Sequence, residues 1–224
     1  MRARRGLLLG WTGVAVWAAV LVGLAVVALR HEDLDRRRPP DPVAELIDAW
    51  ARSRSATFVA SGTYERRSEV TGAVIASEDV VAQRPPRRLH RQLGGVDGRD
   101  DDRLLVCPAP PPGQDTAPCH LGAPGGPTYA ESVAREVAGL RSILAGPSPL
   151  YDVDRGEPGC FRLEQARVDP RAPFGVEASF CFDPATGAPA GSRVRYEGGV
   201  EEVVVVTDIR TDVRDADLEP PAGR

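Results

Sequence analysis

The chain has no basic excess: 28 Lys and Arg stand against 32 Asp and Glu, for a formal net charge of −4. Proteins that bind phosphate backbones draw affinity from counterions released by clustered cations, so nucleic acid is not an expected partner. No G-x-S-x-G elbow, P-loop, H-E-x-x-H helix or Rossmann fingerprint occurs, which leaves the commonest catalytic devices without residues. Acidic neighbours such as Glu201 and Glu202 alternate faces on a strand and cannot share acid–base work. His90 lies among arginines and His31 in a charged stretch, neither beside a nucleophile. The expectation is a protein that is not an enzyme and needs no cofactor. Close-spaced cysteine pairs are missing as well. Cys107, Cys119 and His120 lack the C-x-x-C spacing of zinc sites, and Asp97, Asp100, Asp101 and Asp102 lack the D-x-D-x-D-G spacing of a calcium loop. A disulfide and a solvated turn are expected instead.

What is present begins with Leu7 to Leu29, which contain no charged residue. At ~1.5 Å rise per residue this run spans a ~30 Å hydrocarbon core with some tilt. A cleavable signal has a shorter apolar region of ~7–15 residues; Val26 and Ala28 would fit a cleavage pattern, but the length favours an anchor. Arg2, Arg4 and Arg5 on one flank face Arg30, Arg36, Arg37 and Arg38 on the other, so the positive-inside rule does not orient it. The cysteines do: all four follow the anchor, an even number suited to an oxidising compartment. The expected layout is a cytoplasmic tail at 1–6, a single-pass plasma-membrane anchor at 7–29 and a linker at 30–41. An extracytoplasmic domain at 42–221 and a tail at 222–224 follow.

Within the domain, Asp41 and Pro42 suit a helix start, and Val43, Leu46, Ile47 and Trp50 recur at helical spacing. Strands are expected at Thr57 to Val70, Val74 to Gln83 and, after Pro85-Pro86, Arg87 to Leu93, forming an antiparallel meander. Gly94 to Arg103 reads as a polar turn, Leu104 to Cys107 as a strand, and Pro108 to Pro127 as an excursion unfit for a central strand. Tyr129, Val133, Val137, Leu140 and Leu144 predict a second amphipathic helix that stops at Gly146-Pro147. Strands follow at Cys160 to Val168, Phe174 to Phe182, Ser192 to Glu197 and Val200 to Val213. The fold class is α+β, with helices covering a curved antiparallel sheet.

Residues opposite one another in an antiparallel pair share a face. Setting Cys160 opposite Cys181 places Phe161 opposite Phe180, Leu163 opposite Ala178 and Gln165 opposite Val176, with Asp169 to Ala172 as the hairpin loop. A two-residue turn at Gly198-Gly199 sets Val194 opposite Val203 and Ser192 opposite Val205. Of three possible disulfide connectivities, Cys107–Cys119 and Cys160–Cys181 each close a local loop, and the second agrees with strand parity. An apolar cavity is expected between the second helix (Val133, Val137, Leu140, Leu144) and the sheet face carrying Phe161, Leu163, Phe180, Val194 and Val203. A filled core would use the same residues. Arg84, Arg87, Arg88 and Arg91 form a basic cluster that reads either as a membrane-facing patch or as a solvated strand face.

The order of helix, strand with "TFVASGTYERR", "RPPRRLHRQL", "VDGR", covering helix and "CFRL…FCFDPATGAPAGSRVRYEG" resembles the LolA-like lipoprotein-carrier superfamily. The similarity runs over most of Pro42 to Pro221. That superfamily includes periplasmic lipoprotein carriers, the mycobacterial LppX and LprG lipid carriers and the N-terminal domain of RseB. The resemblance implies an incomplete β-barrel with helices across its concave side and an apolar cavity for acyl chains. An apolar anchor without a lipobox cysteine departs from the family and implies a tethered domain. Membrane lipid or lipoprotein acyl chains are the expected ligands. The alternative is an envelope-sensing module with a protein partner, as in RseB; a hydrolase site scattered in sequence is a third possibility.

Overall fold

The computed structural model describes residues 41–111, 118–170 and 172–220. The anchor at 7–29 and the tails at 1–6 and 222–224 lie outside the described residues, as does the linker up to residue 40. Among the described residues no helix is long and apolar enough to cross a membrane.

Among the described residues, two α-helices, one 3-10 turn and one sheet make up the domain. Helix α1 (Pro42–Ser55) begins at a proline, which a first turn tolerates, and ends with Arg52 and Arg54, cations that suit the negative end of the helix dipole. Helix α2 (Tyr129–Ala145) is capped by Thr128 and Glu131 in a reciprocal capping box. Among the described residues eleven strands form one antiparallel sheet: β1 Phe58–Ser68, β2 Val74–Arg84, β3 Arg87–Gln92, β4 Gly95–Asp100, β5 Arg103–Cys107, β6 His120–Leu121, β7 Tyr151–Arg155, β8 Cys160–Gln165, β9 Glu177–Phe182, β10 Pro189–Tyr196 and β11 Val200–Arg210. Their order is β6-β5-β4-β3-β2-β1-β11-β10-β9-β8-β7. Two meanders are thus joined at the sheet centre by β1 and β11, the sheet is curved and unclosed, and α2 carries the chain from one edge to the other.

Glycine 62 allows that central seam. The register shifts between Ser61 and Gly62, and a Cβ at Gly62 would lie 2.0 Å from the Val205 carbonyl oxygen. No other residue fits such an approach.

The pairing of β8 with β9 follows the expected parity. Cys160 faces Cys181, Phe161 faces Phe180 and Leu163 faces Ala178, and the Gln165 amide donates to the Val176 carbonyl at 3.0 Å. The connection is longer than the expected four-residue loop because Phe174 leaves the ladder. Its amide donates to the Tyr151 hydroxyl at 2.8 Å, and its ring meets Trp50 and Phe180. Three further expectations change. Gly94 to Arg103, expected as a turn, contains β4, whose polar residues pair with β3 and β5. Strand β7 had no counterpart in the expected order. The β10–β11 hairpin pairs Tyr196 with Val200, leaving a three-residue loop with Gly198 and Gly199 at φ 85° and 73°. A one-residue slip reverses every face. Val194 therefore faces Glu202, and Val203 moves to the outer side between Arg193 and Glu65.

The main core lies where both helices meet β7 to β9. Leu46, Ile47, Val137, Leu140, Leu144, Tyr151, Phe161 and Leu163 are buried there in one cluster. On the convex side a C-terminal strap, residues 211–220 with a 3-10 turn at Asp215–Leu218, seals Val59, Val80 and Ala82 beneath Leu218 and Val213. Disulfides join Cys107 to Cys119 and Cys160 to Cys181.

Candidate functional site

The side chains expected to line a cavity under α2 instead pack together. Val137, Leu140, Leu144, Phe161 and Leu163 are buried, and Val133, Phe180 and Val194 lie partly buried against them. Leu163 has no exposed surface. Val203 is absent from this face, for the register reason given above.

Open space lies beside the core, under the C-terminal half of α1. One cavity of about 190 Å³ is walled on one side by Trp50, Phe180, Phe182, Val204 and Val206, and on the other by Asp79, His90 and Gln92. A second, of about 210 Å³, lies between β3–β5 and the N-terminal half of α2, with Arg99, Leu104, Tyr129, Ser132, Val133 and Glu136 around it. Arg54 and Arg88 line both. The result is a groove on the concave face, apolar toward β9–β11 and polar toward β2–β4.

Each wall is held by specific contacts. Gln83, fully buried, donates its amide to the Ser53 and Ala56 carbonyls at 2.7 and 2.8 Å, fixing the end of α1 to β2. Trp50 packs edge-on against Phe180 at 5.3 Å, and its indole donates to Glu136 at 2.9 Å. Arg54 lies over the Trp50 ring and pairs with Glu136 at 2.5 Å. Burial raises the Glu136 carboxyl, but the hydrogen bond and charge of Arg54, with the Trp50 indole, more than offset this and hold it below its ordinary value. Tyr129 donates to the Arg54 carbonyl at 2.6 Å, and burial pushes its phenol upward.

The polar wall is organised around Asp79. This buried carboxylate meets His90 Nε2 at 2.7 Å and accepts from Gln92 at 3.0 Å. The other ring nitrogen, Nδ1, lies 3.7 Å from Asp97. Both nitrogens of His90 therefore face carboxylates, and neither is directed at a hydroxyl that it could activate.

The basic cluster divides by strand parity. Arg84 pairs with Asp215 and donates to the Val213 carbonyl, Arg87 donates to Leu218, and Arg91 donates to Asp217 and Glu219. These three hold the strap on the convex side rather than forming an open membrane-facing patch. Arg88 points the other way, into the groove. The acidic run is also engaged: Asp101 accepts from the Tyr129 amide and Asp102 from the Gly125 amide. Among the described residues no group of three His, Cys, Asp or Glu could hold a metal ion.

The groove residues that sequence reasoning missed are Trp50, Arg54, Asp79, His90, Val204 and Val206. A signal existed for Arg88 and His90, since alternation in "RRLHRQ" separates them from Arg87, Leu89 and Arg91.

No protein-family model and no curated protein sequence matches the chain. Solved structures do. The Pseudomonas aeruginosa MucA/MucB complex is similar over 80% of this chain and 61% of that chain, at 15% identity and a TM-score of 0.45. A LolA superfamily protein from Nitrosomonas europaea matches over 80% of this chain and 97% of its own, at 8% identity and a TM-score of 0.33. A DUF1329 family protein from Desulfovibrio piger matches over 80% and 98%, at 10% identity and a TM-score of 0.33. The chain thus spans about three-fifths of the MucA/MucB chain that it matches.

Proposed function

We propose that this chain is a membrane-tethered, extracytoplasmic binding domain, not an enzyme, whose concave groove takes the apolar part of an amphiphilic ligand such as a lipid or lipoprotein acyl chain. The observation that carries this is the apolar wall of Trp50, Phe180, Phe182, Val204 and Val206 around open space next to a fully packed core. Ligand sites combine such walls with a few placed polar groups, and drug-sized pockets hold ~300–1,000 Å³. Each cavity alone is smaller, so the groove suits the end of one chain with the rest passing out through its mouth. Two disulfides support an oxidising compartment. A periplasm-dependent reporter fused after Arg224 should be active and a cytoplasm-dependent one silent; the reverse result rejects the placement.

The groove is tested by native mass spectrometry of the full chain released from membranes in mild detergent. Wild type should carry an acyl-sized mass, and Val206→Trp, which fills the groove from β11, should lose it while staying folded. A wild-type chain that carries no lipid and binds no added alkyl probe ends this reading. One observation favours the alternative, an envelope-sensing module with a protein partner: Leu104 and Val106, on one face of β5, are about half exposed next to the short edge strand β6. Capture of a defined membrane protein that is lost on Val106→Asp, with no bound lipid, would support it.

A further inference from the structure

The groove is lined by three arginines, Arg54, Arg88 and Arg99, and three carboxylates, Asp79, Asp97 and Glu136, and the contacts among them leave one arginine without a partner. Arg54 is matched by Glu136, Arg99 donates to the carbonyls of Asp101 and Pro127 at 3.1 and 2.6 Å, and Asp97 faces His90. Arg88 has no hydrogen bond or ion pair among the described residues, and its Nε is buried without a partner. Ser132 Oγ, on α2 and lining the same cavity, is a second buried polar atom with none.

A buried guanidinium N–H with no acceptor is unfavourable. Burial, and then the like charge of Arg54, push the Arg88 guanidinium downward against the opposing pull of Tyr129, Glu136 and Asp97, yet an arginine side chain is not deprotonated in a protein. The unpartnered N–H therefore calls for an acceptor, and hydrogen bonds from a guanidinium are strongest to an anionic one. The planar fork of Arg88 is suited to the paired oxygens of a phosphate or carboxylate, and Ser132 can donate one more hydrogen bond. Lysine could not reproduce that geometry. The position matters equally: Arg88 lines the polar cavity and the apolar one alike.

We propose that Arg88, assisted by Ser132, receives the anionic phosphate or carboxylate group of the amphiphile, with the apolar part running toward Phe180 and Val204. This assignment rests on the groove being a ligand site. It names the ligand class: an amphiphile with an anionic head, not a neutral lipid.

The test uses the full chain in neutral maltoside micelles, titrated by calorimetry with octyl phosphate, octanol and inorganic phosphate, with the Arg88 variants as controls for micelle partition. Octyl phosphate should bind wild type about tenfold to a hundredfold more tightly than octanol, as expected for hydrogen bonds to a charged group. Arg88→Leu should remove that advantage and leave octanol unchanged, Arg88→Lys should retain part of it, and Ser132→Ala should lower it. Circular dichroism and melting check the fold, and Arg88→Leu should melt no lower than wild type because it removes a buried N–H that has no acceptor. If octyl phosphate binds no better than octanol, or keeps its advantage in Arg88→Leu, the anion site is overturned while octanol binding still upholds the groove. Equal binding of inorganic and octyl phosphate, lost in Arg88→Leu, overturns the amphiphile and identifies a free anion as the source. If neither alkyl probe nor phosphate binds wild type, both readings fall.

Discussion

Two leucines report whether the space under α2 is closed. Leu163 on β8 has no exposed surface and Leu140 on α2 is nearly as enclosed. Truncating Leu163→Ala should lower stability by ~2–5 kcal/mol, the transfer loss plus the void left behind. Enlarging Leu140→Trp should destabilise by ~1–3 kcal/mol, because a close-packed site has no room for an indole. Chemical denaturation read by far-UV dichroism measures both. A neutral Leu140→Trp would mean that a void lies beneath the helix, contrary to the packing described. Tyr151 shows why the core is specific as well as apolar. Its hydroxyl donates to the Gly175 carbonyl at 3.1 Å and accepts the Phe174 amide at 2.8 Å, so a loop is fixed by one phenol. Tyr151→Phe should leave that amide without a partner at a loss of about 1–3 kcal/mol, measured in the same way.

At the scale of elements, the strap is sensitive to acid. The hydrogen bond from Arg210 holds the Asp217 carboxyl below the usual carboxylate range, against burial, and the Arg214 amide adds to it. Arg84 does the same for Asp215. A carboxylate depressed in the folded state contributes stability above its unfolded value of ~3.9, and that contribution is lost as pH falls through the folded value. The strap should therefore loosen below about pH 4, seen as faster amide exchange at Val213 and Asp217 while β8 and β9 stay protected. Uniform exchange across both regions would show that the strap is not a separate unit.

What the sequence disclosed about these elements follows from pattern strength. Both helices were legible because apolar residues recur over several turns, and β8–β9 because setting Cys160 opposite Cys181 also brings Phe161 to Phe180 and Leu163 to Ala178. Strand β4 was not, since "GVDGRD" has the composition of a turn and gains its strand form from neighbours on both sides. The β10–β11 hairpin was displaced by one because a Gly-Gly pair also fits a three-residue loop, and that single step exchanged Val203 for Val204 in the groove. The groove itself was hidden for a different reason. Its walls come from both helices, β1 to β5 and β9 to β11, and no local pattern links Trp50 to Asp79 or Val206.

For the whole molecule, the decisive contact is the seam of β1 with β11, which joins residues such as Tyr64 and Val204 across the length of the domain. Non-local pairings of this kind are formed late and slowly, because loop closure precedes any gain. A chain ending at Gly199 lacks the partner of both β1 and β10. It should fail to give a cooperative melting transition, whereas removal of residues 211–224 should leave one at lower temperature. Gly62→Val should act like the first truncation, since its side chain would meet the Val205 carbonyl.

Strand β3 carries two unrelated duties on alternate residues: Arg87 and Arg91 hold the strap, while Arg88 and His90 face the groove. A point substitution can alter one duty and spare the other. A one-residue insertion or deletion at Pro85-Pro86 cannot, because it would turn every side chain of the strand over and exchange the two sets at once. In a lineage of such proteins the two functions are therefore inherited as a linked pair with respect to length and as separate traits with respect to substitution. Relatives should tolerate a changed residue at 88 far more readily than a changed number of residues between β2 and β3.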